Sequence, residues 1–297
     1  MNVLIVGNGS IGKQHTKAVL KLGHSPVILT HHPSQWENVS YISSIDKTPD
    51  CQAAIICTPT DQHYEDFYRI INNTGIKSIL VEKPIAAKSS DAIEIKKLAE
   101  EHKISVFVAF DMRFIPQLQY LKSILPQIEK RMRLIKMHCG QYLPEWRPDT
   151  DYRRSYSSYR ARGGGVDLDL THEIDYMLWL FGNPSKIDYL KTYKISSLQI
   201  NSPDYFKAIY NYEDFIVDVE LDYFRKLDRK LIVLGENEIL AELDFIKKTL
   251  VVEGQKLFLN IEKDSLLEED DEFLNKKEKT TLCSLSESIN VLKMIKM

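Results

Sequence analysis

Three short segments of this 297-residue chain combine residue types that can carry out chemistry. Gly7-Asn8-Gly9-Ser10-Ile11-Gly12 has the spacing G-x-G-x-x-G between an apolar strand and an amphipathic helix, the context in which such a turn holds a dinucleotide. Gly7 permits the tight turn, Gly9 lets a pyrophosphate approach the backbone, and Gly12 lets helix and strand pack closely. The helix amino terminus then turns its amides toward the phosphates. In the second segment, the apolar run Ser78–Val81 leads straight into Glu82-Lys83-Pro84. A lysine there is costly to bury unless it is paired or functional. Partial desolvation lowers a lysine pKa, which would let Lys83 exchange protons with a substrate hydroxyl near neutrality. Pro84 biases Lys83 toward extended backbone. In the third segment, Gly163-Gly164-Gly165 leads into Asp169-Leu170-Thr171-His172. Asp169 and His172, three apart, are expected to share one helix face, with Asp169 orienting an imidazole that serves as acid or base. Together the segments imply hydride transfer at a hydroxylated carbon. The plainer alternatives are a surface lysine at a strand end and a packing histidine.

Further positions refine the expectation. The second strand ends at Thr30-His31-His32 with no carboxylate to bind ribose hydroxyls, and either histidine could donate to a 2′-phosphate. This tilts the cofactor slightly from NAD to NADP, unless both histidines merely sit in a polar loop. Cys57-Thr58-Pro59-Thr60-Asp61-Gln62-His63 is a second strand-end turn expected to border the nicotinamide, with His63 either a ligand or a helix-face residue. Tyr142, Trp146, Arg147, Arg153, Arg154, Arg160 and Arg162 place aromatic and cationic groups in an irregular segment suited to a phosphorylated, carboxylated or sugar-bearing substrate. No second histidine supports a metal site near His172, so no metal is expected.

Composition narrows the class. A formal net charge of −3 provides no field for nucleic acid or anionic membrane, and no apolar run approaches a bilayer span. Cys51, Cys57, Cys139 and Cys283 lack zinc-type spacing and are expected as free thiols of a cytoplasmic protein.

These residues need a scaffold. Strands at 2–6, 26–30, 53–57, 78–81 and 105–110 alternate with helices near 11–22, 61–72 and 89–102, which predicts a doubly wound parallel sheet over 1–116. Its site should lie at the carboxyl ends of the strands. Residues 117–297 are expected to form a second α/β domain for substrate binding and oligomerisation. It begins with a helix over 117–130 and a strand over 134–142. One helix should run from the glycine triplet to Phe181-Gly182, and alternating strands over 186–195, 205–212, 215–224, 230–234 and 239–243 predict a mostly antiparallel sheet. The acidic run Glu268–Glu272 reads as a solvated loop.

The order of these motifs resembles the Gfo/Idh/MocA oxidoreductases, named for glucose–fructose oxidoreductase and inositol dehydrogenase. The resemblance rests on Gly7–Gly12, Thr58-Pro59-Thr60 with His63, Glu82-Lys83-Pro84, Phe110-Asp111-Met112-Arg113-Phe114 before Pro116, and the stretch from Gly163 to Asp175. It implies a Rossmann domain followed by an α/β domain whose largely antiparallel sheet often makes oligomer contacts, here a homodimer or homotetramer. It also implies that Lys83 lies by the nicotinamide and substrate, and that His172 transfers the proton. A sugar, sugar nucleotide or cyclic polyol is the implied substrate, with Arg113, Tyr142, Trp146, Arg153, Asp169 and His172 as candidate contacts. Keto-sugar reduction and cofactor binding without turnover are the alternatives. Many members place the aspartate four residues before the histidine, whereas Asp169 precedes His172 by three. The chain also stops at Met297, soon after a helix expected from Ser284, where relatives often continue.

Overall fold

The computed structural model describes residues 1–34, 36–147, 150–259, 263–275 and 280–296. They group into two compact units, residues 1–114 with 264–292, and residues 115–263 with 293–297.

The first unit begins with β1 (Asn2–Val6), α1 (Ser10–Lys21), β2 (Ser25–Leu29), β3 (Ser40–Ile42), β4 (Ala53–Ile56), α2 (His63–Asn73), β5 (Ser78–Glu82), α3 (Ser89–Glu101) and β6 (Ser105–Ala109). These strands lie parallel in the order β6-β5-β4-β1-β2-β3, the expected doubly wound sheet. Their unbroken apolar runs follow from helices covering both faces. Val3, Ile5, Ile28, Ile55 and Leu80 are buried in one cluster, each contributing about 1.5–3 kcal/mol of transfer free energy.

The second unit contains α4 (Pro116–Ile128), β7 (Leu134–Gly140), α5 (Leu143–Trp146), α6 (Val166–Asp169), α7 (His172–Phe181), β8 (Lys186–Tyr193), β9 (Tyr205–Asn211), β10 (Ile216–Asp222), β11 (Asp228–Leu234), β12 (Ile239–Asp244), β13 (Thr249–Val252) and β14 (Gln255–Leu257). The sheet order is β14-β13-β12-β11-β7-β10-β9-β8, antiparallel except where β10 runs parallel to β7. Alternation is clean in β9, where Phe206, Ala208 and Tyr210 are buried while Tyr205, Lys207 and Ile209 stay half-exposed. The single helix expected after the glycine triplet is two helices. Leu170 leaves helical geometry at φ −100° and ψ 42°, so Asp169 ends α6 and His172 begins α7.

The chain then returns to the first unit through α8 (Ser265–Asn275), β15 (Cys283–Ser284) and α9 (Leu285–Ile295). β15 joins β6 antiparallel, and α8 packs on α1. The acidic run is therefore not a solvated loop. It lies inside α8, where Glu269, Asp270 and Glu272 are buried and the neighbouring Phe273 and Leu274 enter the first unit's core. A run of five acids gives no hydropathy signal for burial, and the partner of Asp270, His15, lies 255 residues away.

Close backbone approach explains the last glycine of the turn. A Cβ on Gly12 would sit 2.3 Å from the Gly7 carbonyl oxygen, which cannot move without rebuilding the turn. Gly12→Ala should lower unfolding free energy by about 1–3 kcal/mol in chemical denaturation and weaken dinucleotide binding at the same time.

Candidate active site

The carboxyl ends of the parallel strands surround a cleft of about 610 Å³ lined by Gly7, Thr30, His31, His32, Ser44 and Thr58, among others. α1 starts at Ser10 without a side-chain cap on its first amides, and those amides have no acceptor within the helix. A Cβ on Gly9 would meet nothing within 4 Å, so the backbone there is open to a close ligand. Open backbone, uncapped amides and a helix dipole fit the pyrophosphate of a nicotinamide dinucleotide. Asn8 sets the turn's shape, its Nδ2 donating to the His32 carbonyl at 2.8 Å and to Ser34 Oγ at 2.9 Å. Ser43, Ser44 and Arg69 also line the cleft near Thr30 and His31. Sequence reading missed them, because nothing local marks β3 or the outer face of α2 as lying beside the end of β2.

Cys57 is buried at this edge, its thiol pushed up to about 12 by burial. It serves as packing against α1 rather than as a reactive group. Thr58 Oγ1 donates to Asp66 Oδ2 at 2.7 Å, which steadies the turn through Pro59. His63, expected against the cofactor, is instead fully buried between two turns. Its Nε2 lies 2.9 Å from the Thr58 carbonyl and its Nδ1 3.1 Å from that of Pro84. Burial holds its pKa below the ordinary value, although both carbonyls favour the charged form. His63 thus shapes the cleft through the turns that carry Thr58 and Lys83.

Lys83 is half-buried at the end of β5, two strands from β1 and its glycine turn. The side chain of Glu82 folds back, its Oε2 accepting the Lys83 amide at 3.2 Å. Its Oε1 lies 2.9 Å from His15 Nε2. His15 was not singled out by sequence. The available signal was its place with Gly12, Thr16 and Val19 on the buried stripe of α1.

In the second unit Asp169 and His172 do not lie on one helix, because Leu170 leaves helical geometry between them. Asp169 accepts a 2.5 Å hydrogen bond from the Tyr223 hydroxyl. It also faces Tyr156, whose hydroxyl pKa is raised first by burial and then by that carboxylate. His172 is half-buried at the first position of α7. Trp146 stands 6.2 Å from the Tyr223 ring, and with Arg147, Tyr152 and Ser157 it lines a small cavity. Tyr142 is half-buried just before α5.

Three arginines are committed within their own unit. Arg153 makes a bidentate pair with Asp151 at 2.8–3.1 Å. Arg160 holds the buried Asp167 at 2.7 Å. Arg113, only 2% exposed, bonds Glu287 at 3.1 Å inside the first unit, which corrects its expected role at the substrate. The glycine triplet is required by contact, since a Cβ on Gly164 would lie 2.3 Å from the Tyr156 carbonyl.

Comparison with known proteins gives the family and the fold. A family model described as an oxidoreductase family with an NAD-binding Rossmann fold matches residues 1–110, and the GFO/IDH/MocA C-terminal domain matches residues 131–241. The chain belongs to the Gfo/Idh/MocA oxidoreductase family. An uncharacterized oxidoreductase of Synechocystis, sll0816, is 33% identical over 136 residues, covering 45% of this chain and 35% of the relative. Inositol 2-dehydrogenase of Rhizobium meliloti is 28% identical over 189 residues, covering 60% and 54%. The chain spans about half the length, or less, of these curated relatives. The WlbA dehydrogenase of Bordetella pertussis, solved with NADH and UDP-GlcNAcA, shares the fold with a TM-score of 0.81 at 17% identity, over 98% of this chain and 93% of that one. No helix among the described residues is long and apolar enough to cross a membrane.

The neutral, buried His63 implies a pH dependence of stability. Its folded pKa lies below the ordinary 6.5, so its contribution is complete above that pH and is lost as acid protonates the unfolded chain preferentially. Below about pH 6.5 the wild type should lose up to about 1.4 kcal/mol per pH unit relative to His63→Gln, as read from denaturation midpoints across pH.

Proposed function

We propose that this chain is a cytoplasmic NAD(P)-dependent oxidoreductase acting on a hydroxyl- or keto-bearing carbon of a sugar, sugar nucleotide or cyclic polyol. The observation that carries the reading is Lys83, held at the end of β5 in the same unit as the glycine-turn cleft. Relatives named for inositol oxidation and a fold neighbour solved with a nucleotide sugar support the substrate class.

Gly7, Gly9, Ser10 and Ile11 would hold the pyrophosphate, with Thr58 and Pro59 bordering the nicotinamide and Thr30 and His31 at the adenosine ribose. When bound, the nicotinamide would supply two-electron hydride chemistry at a carbinol or carbonyl carbon. The protein's task is then the proton and the charge on oxygen. In oxidation, His172 removes the hydroxyl proton while the Lys83 ammonium stabilises the developing alkoxide; in reduction the same groups return the proton. Asp169 acts through the tyrosines it binds, and Tyr142 and Trp146 offer aromatic surface to a sugar or base ring. NADP is favoured over NAD, because no carboxylate ends β2 while His31, His32, Ser44 and Arg69 line that part of the cleft. The half-exposed face bearing Tyr189, Tyr193, Tyr205 and Lys207 is the proposed contact of a homodimer or homotetramer.

Turnover is testable by following nicotinamide absorbance with NADP or NAD against UDP-N-acetylglucosamine, UDP-GlcNAcA, myo-inositol and glucose 6-phosphate. Lys83→Ala should cut kcat by about 10²–10⁴ while the NADPH dissociation constant stays within about threefold. Undiminished turnover in that variant overturns the mechanism. His31→Asp should shift the ratio of NADP to NAD affinity toward NAD by about tenfold, through repulsion of the 2′-phosphate. Equal ratios in the two proteins would remove the case for NADP.

A further inference from the structure

His15 takes no part in the steps above, yet it is one of the most completely enclosed polar side chains of the first unit, with no solvent exposure. Nδ1 lies 2.9 Å from both carboxylate oxygens of Asp270 on α8, and Nε2 lies 2.9 Å from Glu82 Oε1 at the end of β5. Each ring nitrogen therefore faces a carboxylate. A neutral imidazole has one N–H and could satisfy only one of them, so the triad needs a second proton to complete both bonds. Placing that proton on the ring, or on Asp270 with the ring accepting, gives the same proton count across the 2.9 Å bond.

The surroundings agree. Burial alone would lower the His15 pKa, but the charge of Asp270 and the hydrogen bonds to Asp270 and Glu82 outweigh it and raise the value well above normal. The Asp270 carboxyl is itself pushed up, first by burial. Cys57, just after β4, faces the ring as a thiol, its pKa pushed up to about 12 by burial. Glu269 on α8 is driven well above the usual carboxylate range by burial and by Asp111, Glu82 and Asp270, which favours its neutral form.

The geometry points to His15 and Asp270 as positioning residues for Lys83. A hydrogen-bonded chain from α8 through the α1 ring to Glu82 fixes the Glu82–Lys83 peptide, so the helix that receives the cofactor phosphates at its amino end also sets the lysine. Glu82 Oε1 is taken by His15, and Oε2 accepts the Lys83 amide at 3.2 Å. This inference rests on reading Lys83 as the residue that meets the reacting hydroxyl.

The test uses nuclear magnetic resonance on the full chain with labelled histidine rings and labelled lysine ε-carbons. Signals are assigned by their loss in His15→Gln and Lys83→Arg. In the wild type, two His15 N–H signals, or one with a carboxylic proton on Asp270, persist to about pH 8, while Asp270→Asn leaves a single ring N–H and no acidic proton at position 270. Adding NADPH shifts the Lys83 signal in the wild type. In His15→Gln and Asp270→Asn that shift falls below about half, with the NADPH dissociation constant within about threefold. A wild-type triad holding one proton at that pH, or a full-sized Lys83 shift in both variants, overturns the positioning role. A wild-type Lys83 signal that ignores NADPH overturns instead the catalytic reading on which it stands. The wild-type proton count needs no variant and so decides the first point even if Asp270→Asn fails to fold.

Discussion

A shared proton between His15, Asp270 and Glu82 is the constraint on which the first unit depends. Three elements distant in sequence bring a histidine, the buried Asp270 and the part-buried Glu82 together. Without that proton the two carboxylates would face a ring with a single N–H, which leaves one of them without its hydrogen bond. With it, α1, the end of β5 and α8 are tied at one point. The strand that presents Lys83, the helix that opens the cleft and the carboxyl-terminal helix are thus parts of one arrangement.

The cleft follows from simpler physics. The G-x-G-x-x-G turn leaves α1 uncapped and its first amides without acceptors, so the fold carries an anion site at the carboxyl edge of its sheet. Around it, side chains do structural work that sequence alone would assign to the ligand. Asn8 ties the turn to the loop after β2, and His63 ties the Thr58 turn to the Pro84 turn. Their substitution would change the turns that border the cleft.

In the second unit, buried charge is matched inside the protein. Glu173 pairs with Arg229 at 2.8 Å, Asp167 with Arg160 at 2.7 Å, and Asp169 with the Tyr223 hydroxyl. Each of these three carboxylates has a cation or a hydroxyl, as desolvation requires. The same logic commits Arg160 to the buried Asp167, whereas Arg153 pairs with Asp151 at the surface. Asp169 and His172, neighbours in sequence, are placed by different elements because Leu170 leaves helical geometry between them.

Local chemistry made much of this protein legible from its residues. Apolar runs of strand length, glycines at fixed spacing and the helix-ending Gly182 declare the doubly wound sheet, its phosphate turn and the alternating second sheet, because those signals act within a few residues. The segment 264–292, assigned by chain order to the second domain, packs with the first, and the acidic run at 268–272 is a buried helix. Neither could be read locally. Whether Glu269 and Asp270 enter water or a core depends on His15 and on burial, and the partner lies 255 residues away. Sequence by itself determined where strands, helices and the lysine at a strand end would lie. Only tertiary structure decided which charges are buried, because a buried charge is tolerated only beside a partner that folding brings to it.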